Sequence, residues 1–285
     1  FAALIGVDHA IGCNSGTDAL ILALRALDIG KGDEVITSSF SFFATAEAIS
    51  IVGAKPIFVD INLSTYLIDP NLIESQITDK TKAIMPVHLF GNVVDMKSIK
   101  SIAQKYGLKI IEDCAQATCS EWNNQRVGSI GDIGCFSFFP TKNLGAGGDG
   151  GALTTSNGFL AQKIKELAVH GSPRRYNHTQ IGYNSRLDSI QAAILNTKIK
   201  FISKWIKKRK EIANNYFDLI QRNDYLKMPS NAHSTNSHSW NQFVIRLDNN
   251  NYSLNKNYEE LFETNHKKNN SLRNILKYHL TSKGI

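Results

Sequence analysis

Short apolar runs alternate with segments of helical period from about residue 13 to residue 155, and this alternation constrains the fold more than any other feature. It is typical of a mostly parallel sheet covered by helices, an α/β sandwich. The predicted strands are Glu34 to Thr37, Lys55 to Val59, Lys82 to Val87, Leu108 to Glu112, Gly134 to Phe138 and Gly151 to Thr154. The predicted helices between them are Thr17 to Leu27, Phe42 to Val52, Pro70 to Ile77 and Asp95 to Tyr106.

Beyond the last of these strands the pattern becomes helical and stays so to about Gln221. We predict a large domain over residues 1–205 and a smaller C-terminal α+β domain over residues 206–285. The smaller domain contains one good strand pattern, from Ser239 to Leu247. The Asn- and Lys-rich stretches within residues 249–270 indicate a surface insertion.

The composition narrows the class of protein. The 285 residues are enough for one large core, and 42% apolar and 20% charged residues exclude a disordered or fibrous chain. The net charge of +7 is concentrated in the second half, notably in the basic run of residues 204–210. Such a run is compatible with nucleic acid or a membrane surface, but no DNA-reading motif surrounds it. We interpret it as a solvated helix face and predict neither partner.

The cysteines bear on metal binding and on location. Cys13, Cys114, Cys119 and Cys135 show no C-x-x-C spacing, so the sequence indicates neither a metal site nor a redox pair. Buried thiols in a reducing compartment are the simpler interpretation. The most apolar long stretch, Val35 to Ala54, is interrupted by serines and a glutamate, and no secretory leader pattern is found. We therefore predict a cytoplasmic protein.

Small polar residues precede the first predicted helix. Asn14, Ser15, Gly16 and Thr17 lead directly into the amphipathic stretch from Asp18 to Leu27. Free backbone amides at a helix start, together with a hydroxyl, can bind a phosphate group. The alternative is an ordinary N-cap, since serine and threonine are common there in any helix.

A carboxylate ends one of the predicted strands. In open α/β sheets ligands gather at the carboxyl ends of the strands, so Asp113 is well placed to meet one. A cofactor with a pyridine ring needs such an acid, because an ionised carboxylate keeps the ring nitrogen protonated. A helix N-cap or a metal-binding aspartate explains the residue equally well.

A lysine follows another apolar strand and a proline-containing turn. Lys142, held at the edge of a sheet and partly desolvated, would be easier to deprotonate and able to form a Schiff base. Most lysines are surface charges, but Ser137 lies five residues earlier as a possible phosphate ligand. The glycines of residues 145–150 satisfy G-x-G-x-x-G, yet they follow a loop and lead into a strand, which excludes the dinucleotide fingerprint.

Several motifs are shared in order with a known family: residues 15–20 (SGTDAL), 32–36 (GDEVI), 86–91 (PVHLFG), 112–117 (EDCAQA), 136–143 (FSFFPTKN) and 182–188 (GYNSRLD). Through them the chain closely resembles the DegT/DnrJ/EryC1/StrS sugar aminotransferases, which are fold-type I pyridoxal phosphate enzymes. The resemblance covers nearly the whole chain. It implies an aspartate aminotransferase-like fold, with a mostly parallel sheet of the seven-stranded type sandwiched by helices.

The resemblance also implies roles for individual residues around pyridoxal 5'-phosphate. Lys142 would form the Schiff base and then move protons between the substrate carbon and the cofactor. Asp113 would pair with the pyridinium nitrogen, Gln116 would lie by the 3'-oxygen, and Phe42 would stack on the ring. The residues implied to hold the phosphate are Gly16, Thr17 and Ser137. Asn184 would reach the phosphate of the neighbouring subunit's cofactor, which implies a homodimer with shared active sites.

The implied reaction moves an amino group from glutamate to a nucleotide-linked keto sugar. The resemblance is greatest to enzymes of the 3-keto-sugar subgroup that aminate UDP-2-acetamido-3-oxo-glucuronate. Arg174, Arg175 and His178 would then meet the uronate or the diphosphate, since arginine suits such anions. A solvated basic loop is the equal alternative.

Other functions remain open at this point. A 4-keto-sugar aminotransferase and a sugar dehydratase share the fold, but in the dehydratases a histidine replaces the lysine that Lys142 matches. A cofactor-binding regulator is suggested only by the basic run of residues 204–210. Family members extend beyond both Phe1 and Ile285, so we expect a fragment with an incomplete small domain.

Overall fold

The computed structural model describes residues 1–220, 226–230, 237–247 and 272–284. The strands are β1 (His9–Cys13), β2 (Glu34–Ser38), β3 (Lys55–Val59), β4 (Thr81–Met85), β5 (Lys109–Asp113), β6 (Glu121–Trp122), β7 (Gln125–Arg126), β8 (Ile133–Ser137), β9 (Gly151–Thr155), β10 (Leu226–Lys227) and β11 (Arg246–Leu247). The α-helices are α1 (Ala2–Ile5), α2 (Gly16–Ala26), α3 (Ala44–Ile51), α4 (Met96–Tyr106), α5 (Gly158–Ala168), α6 (Ser189–Lys198), α7 (Ile202–Ile220) and α8 (Leu272–Ser282).

Seven of these strands form one sheet in the order β1-β9-β8-β5-β4-β2-β3. The pairs β2 with β3, β2 with β4, β4 with β5 and β5 with β8 are parallel, and β9 is antiparallel to both β8 and β1. The predicted mostly parallel, seven-stranded sheet is therefore confirmed. Its parallel strands end at one common edge, where ligands gather in sheets of this kind.

Helices cover both faces of the sheet because successive strand residues point to opposite sides. Val35 and Ile111 lie in the core beneath α2, α3 and α5, whereas their neighbours Ile36 and Ile110 lie in a second core that includes the buried residues of α4. Burying each such side chain stabilises the fold by about 1.5–3 kcal/mol. The sheet is thus the middle layer of an α/β sandwich.

Two predicted elements differ in the structure. Pro70 to Ile77 forms two short 3-10 helices, Pro70–Leu72 and Glu74–Gln76, rather than an α-helix. Asp69 caps the first of them and Pro70 fixes its first turn, and such 3-10 turns are common connectors between longer elements.

The strand predicted from Ser239 to Leu247 is also wrong over most of its length. Only Arg246–Leu247 is a strand, paired with Leu226–Lys227. The preceding residues bond instead to loops of the large sheet, as when the Ser239 amide donates to the Gly91 carbonyl at 3.0 Å. The predicted insertion within residues 249–270 lies outside the described residues.

The chain divides into two compact units. One comprises Phe1–Ile212 with Ser230–Phe243, and the other comprises Ala213–Pro229 with Val244–Ile285. The described residues 237–243 therefore group with the sheet, although they follow residues 213–229 in sequence. Among the described residues, no helix combines the length and apolar character that crossing a membrane requires.

Candidate active site

A cavity of about 390 Å³ opens at the edge where the parallel strands end. The last residues of β5 and β8 and the first residues of α2 line it, together with the turn that follows β8. Seven predicted site residues line this one cavity: Gly16, Thr17, Phe42, Asp113, Gln116, Ser137 and Lys142. They come together because the carboxyl ends of parallel strands share an edge.

Asp113, the last residue of β5, lies on the wall of the cavity and is 5% exposed. One carboxylate oxygen accepts a hydrogen bond from the Thr45 hydroxyl at 2.9 Å, and the other accepts from the Ala115 amide at 3.2 Å. Burial raises the pKa of Asp113, although these two donors and the nearby Lys142 oppose the rise. A cation that entered the pocket would favour the charged carboxylate.

Lys142 enters the cavity from the turn after β8. Its backbone amide donates to the Phe139 carbonyl at 2.9 Å, which closes the turn around Pro140. Burial lowers the pKa of the Lys142 amine, and the charge of Asp113 partly counteracts this. A lysine with a lowered pKa carries a larger fraction of the neutral, nucleophilic amine, which is the state that attacks a carbonyl.

The start of α2 forms the opposite wall. Ser15 caps the helix by accepting from the Asp18 amide at 3.1 Å. A Cβ atom added at Gly16 would lie 2.7 Å from the Ser137 Cβ atom, so only glycine allows the helix start and the end of β8 to approach this closely. The contact brings the first helical amides and the Ser137 hydroxyl to one place, where a phosphate group would meet several donors.

Gln116 and Phe42 complete the cavity. The side-chain oxygen of Gln116 accepts from the Phe90 amide at 2.8 Å, which fixes the orientation of the carboxamide. Its NH₂ group is therefore the end that can donate to a ligand. Phe42 is 71% exposed, so its ring has an open face toward solvent at the cavity.

A buried pair behind Asp113 was not predicted from the sequence. His88 and Glu112 are both 0% exposed, and the His88 Nε2 atom lies 3.1 Å from the Glu112 carboxylate. The His88 Nδ1 atom accepts from the Val94 amide, so Nε2 carries the proton and donates to Glu112. Burial raises the pKa of Glu112, but the hydrogen bond from His88 and the amides of residues 128 and 131 outweigh it, and the pKa ends below its usual value.

This pair supports Asp113 through the backbone. The His88 amide donates to the Asp113 carbonyl at 3.0 Å, and Glu112 directly precedes Asp113 on β5. The donor atoms of His88, Glu112 and Cys114 lie within 4.8 Å of one another, as metal ligands would. However, the Glu112 oxygens already accept from three backbone amides and from His88, which explains the cluster as a structural hydrogen-bond network.

The other four predicted site residues lie apart from this cavity. Asn184 is exposed and forms a bridge with Val169, and Arg174, Arg175 and His178 are exposed on the loop after α5. None of the four lines the cavity of the described chain. Their roles, and those of the seven lining residues, stay predictions.

Sequence reasoning missed three further residues of the cavity wall. Thr45, Asp149 and Gln242 all line it. Asp149 lies in the glycine-rich loop that the motif analysis singled out. Thr45 lies in the first turn of α3, and its hydroxyl is 2.7 Å from that of Ser41. No local pattern pointed to Gln242, which is distant in sequence from every other lining residue.

Comparison with known proteins supports the resemblance that the motifs indicate. The family model described as the DegT/DnrJ/EryC1/StrS aminotransferase family matches residues 1–272. The chain is 51% identical over 247 residues to a UDP-N-acetyl-3-dehydro-alpha-D-glucosamine 3-aminotransferase of Acidithiobacillus ferrooxidans, covering 87% of this chain and 66% of that protein. It is 43% identical to a UDP-2-acetamido-2-deoxy-3-oxo-D-glucuronate aminotransferase of Pseudomonas aeruginosa, covering 87% and 68%.

A solved structure agrees in fold. The NtdA protein of Bacillus subtilis, with bound cofactor PMP, superposes with a TM-score of 0.80 at 37% identity, covering 87% of this chain and 57% of that one. The chain thus spans about two thirds of the length of the curated relatives it matches, 66% of the first.

Proposed function

The chain belongs to the DegT/DnrJ/EryC1/StrS aminotransferase family, and from this we propose that it is part of a pyridoxal phosphate-dependent enzyme that moves an amino group from glutamate to a nucleotide-linked keto sugar. The single observation that carries the proposal is the shared cavity. Gly16, Asp113 and the pair Ser137 and Lys142 line one space of about 390 Å³, although they lie on three different segments of the chain.

The cavity residues fit pyridoxal phosphate. Asp113 is a buried carboxylate whose pKa is raised by burial, and a protonated ring nitrogen beside it would favour its charged form. The missing Cβ of Gly16 leaves the α2 amides and the Ser137 hydroxyl close enough to share one phosphate. When bound, the cofactor supplies an electron sink for the bonds of the substrate carbon.

The chain's own residues would divide the work. With the cofactor bound, the neutral Nζ of Lys142 would take a proton from the substrate carbon and deliver it to the cofactor, acting as a general base and then as an acid. Asp113 would keep the ring nitrogen protonated, and the Thr45 hydroxyl holds Asp113 in place through a hydrogen bond of 2.9 Å. Gln116 would donate through its NH₂ group to the ring oxygen, because its side-chain oxygen already accepts from the Phe90 amide.

We further propose that the acceptor is a UDP-linked 2-acetamido sugar with a keto group at carbon 3. The names of the two relatives above both specify a 3-keto UDP sugar, one a glucosamine and one a glucuronate. For the uronate, which the sequence motifs favour, Arg174, Arg175 and His178 would supply the positive charge that a carboxylate needs. A 4-keto sugar is the alternative acceptor of the same chemistry.

The active form is proposed to be a homodimer with shared active sites. Asn184 is exposed and lies outside its own chain's cavity, which leaves it available to the cofactor phosphate of a second copy. The next residue, Ser185, is fixed, because its hydroxyl donates to Asp18 at 2.6 Å and accepts from the Asn14 amide at 3.2 Å. All four cysteines are buried free thiols, which suits the proposed location in the reducing cytoplasm.

An absorbance experiment tests this proposal. The purified protein, mixed with pyridoxal phosphate, is expected to develop a visible band that glutamate bleaches and a keto sugar restores. A panel of UDP-linked 3-keto glucosamine, 3-keto glucuronate and a 4-keto sugar identifies the acceptor by the rate of restoration.

Two variants make the result specific. Lys142→Ala should lose the band and the turnover, whereas Lys97→Ala, which removes an exposed lysine of α4, should keep both. A band and turnover that survive in Lys142→Ala would show that another residue holds the cofactor.

A further inference from the structure

A short segment, residues 237–243, lies against the turn that carries Lys142. Asn143 directly follows Lys142 and is 6% exposed. Its side-chain nitrogen donates to the Ser239 carbonyl at 2.9 Å, across 96 residues of sequence. We refer to residues 237–243, all of which are described, as the 237–243 segment.

The acceptor of this hydrogen bond is itself fixed in place. The Ser239 amide donates to the Gly91 carbonyl at 3.0 Å and approaches the Ser120 hydroxyl at 3.2 Å. Gly91 has φ +100°, and a Cβ atom there would lie 2.6 Å from the Ser239 hydroxyl. The close approach therefore depends on glycine, and the backbone of Ser239 cannot shift far without losing both bonds.

Both ends of the 237–243 segment are also anchored. Ser237 and Glu121 exchange two backbone hydrogen bonds of 3.0 Å. Arg209 of α7 donates to the carbonyls of Trp240 and Asn241 at 3.0 and 3.3 Å. A segment held at several points serves as a rigid support, because each bond restricts the freedom that the others leave.

The same segment reaches the other wall of the cavity. The Gln242 amide donates to the Phe90 carbonyl at 3.2 Å, and the Phe90 amide in turn holds Gln116 at 2.8 Å. Gln242 itself lines the cavity with Lys142. The turn of Lys142 and the loop of Gln116 are thus tied to one common support.

We propose that Asn143 is a positioning residue, which holds the Lys142 turn against the 237–243 segment and thereby sets the depth at which the lysine enters the cavity. The inference rests on the proposed function for the identity of the group that Lys142 meets. It gives a role to a buried polar side chain that is not among the residues lining the cavity.

The physical consequence concerns the Lys142 amine. Burial lowers its pKa, and the other ionisable groups that line the cavity are Asp113 and Asp149. If the turn relaxes, the amine becomes more hydrated and its pKa rises toward the ordinary value for lysine. A less reactive amine at neutral pH is then the expected result.

The rate at which the protein captures an aldehyde measures the reactivity of the Lys142 amine without requiring turnover. Cofactor-free protein is mixed with pyridoxal, which lacks the phosphate, and the rate of imine formation is followed by absorbance from pH 6 to 10. In Asn143→Ala the rate profile should move to higher pH by about one unit. With the complete cofactor, kcat should fall about tenfold, while KM for glutamate changes less than about threefold. Asn143→Leu keeps about the size of the side chain, removes the donor without adding a charge, and serves if Asn143→Ala does not fold.

A matched control separates positioning from stability. Thr155→Val removes a buried hydroxyl that donates to the Asp132 carbonyl at 2.8 Å, at the end of β9 opposite to the cavity. It should lower the melting temperature without moving the pH profile. The inference would be overturned, and the proposed function left standing, by either of two results. One is a pH profile of the Asn143 variants that coincides with that of the unmodified protein, and the other is a Thr155→Val pH profile that shifts equally. If the unmodified protein captured pyridoxal no faster than Lys142→Ala, both the inference and the proposed function would fall.

Discussion

Two adjacent carboxylates on β5 show how neighbouring residues acquire different tasks. Side chains alternate along a strand, so Glu112 and Asp113 point to opposite faces. Glu112 meets His88 and three backbone amides, and its pKa falls, whereas Asp113 meets only two donors, and burial raises its pKa. The charge of Glu112 is therefore used within the fold, and we propose that the charge of Asp113 serves a ligand in the cavity.

This contrast yields a prediction for Asp113. In Asp113→Asn the amide cannot hold a proton on a ring nitrogen, so kcat should fall by about 100-fold or more. The visible band of the bound cofactor should persist in absorbance spectra, because Lys142 is unchanged. Asp132→Asn makes the same substitution at the opposite edge of the sheet and should leave kcat within about twofold. Equal losses in the two variants would contradict a specific role for Asp113.

At the scale of elements, the cavity depends on how closely the start of α2 approaches the end of β8. The approach exists because position 16 has no Cβ atom, and the Ser15 cap keeps the first turn regular. The residues of α2 from Ala19 to Leu24 are all buried. The proposed phosphate site is thus held by the core rather than by a loop.

A methyl group at Gly16 should therefore act mainly on cofactor binding. In Gly16→Ala the new Cβ atom would lie 2.7 Å from the Ser137 Cβ atom, which forces the helix start and the strand apart. We expect the Kd for pyridoxal phosphate, measured by fluorescence titration, to rise at least about tenfold, a loss of about 1.4 kcal/mol.

Gly158→Ala is the matched control for this prediction. Gly158 is also the first residue of its helix, but an added Cβ atom would meet only the His9 ring, at 3.6 Å. Its Kd should equal that of the unmodified protein. Unchanged cofactor binding in Gly16→Ala would mean that the start of α2 does not hold the phosphate.

At the scale of the whole molecule, the first compact unit is closed by a segment that returns from much later in the sequence. Its buried centre includes His238, whose ring stacks on Trp240 at 3.8 Å and accepts from the Trp240 amide through Nδ1. Burial lowers the pKa of His238 to about 3. The ring is therefore neutral in the folded chain at neutral and mildly acidic pH.

Acid should therefore destabilise the molecule through His238. Below pH 6.5 the unfolded chain takes up a proton that the folded chain does not, so stability is fully present above pH 6.5 and is lost as the pH falls toward 3. His238 contributes at most about 1.4 kcal/mol per pH unit to the dependence of the unfolding free energy on pH. Denaturant unfolding between pH 7 and pH 4 measures it.

His238→Gln offers a neutral side chain with an acceptor for the Trp240 amide, and its free energy of unfolding should depend less on pH over this range. Identical slopes in the variant and the unmodified protein would show that His238 does not stay neutral when folded.

The sequence alone determined the α/β sandwich, the strand-end position of Asp113 and the turn that carries Lys142. These follow from apolar periodicity and from short motifs, in which the interacting residues are close together in the chain. It also indicated the family, because six short motifs follow one another in the order that the family has.

Only the tertiary structure decided which distant residues meet. The bond from Asn143 to Ser239, the pair of His88 and Glu112, and the place of Gln242 in the cavity join residues that no local pattern connects. Ser239 follows an alternating pattern that predicts a strand, yet its amide donates to the Gly91 carbonyl, so that a loop satisfies this buried group in place of a strand partner. Local patterns describe what each segment can form, and packing selects its partners.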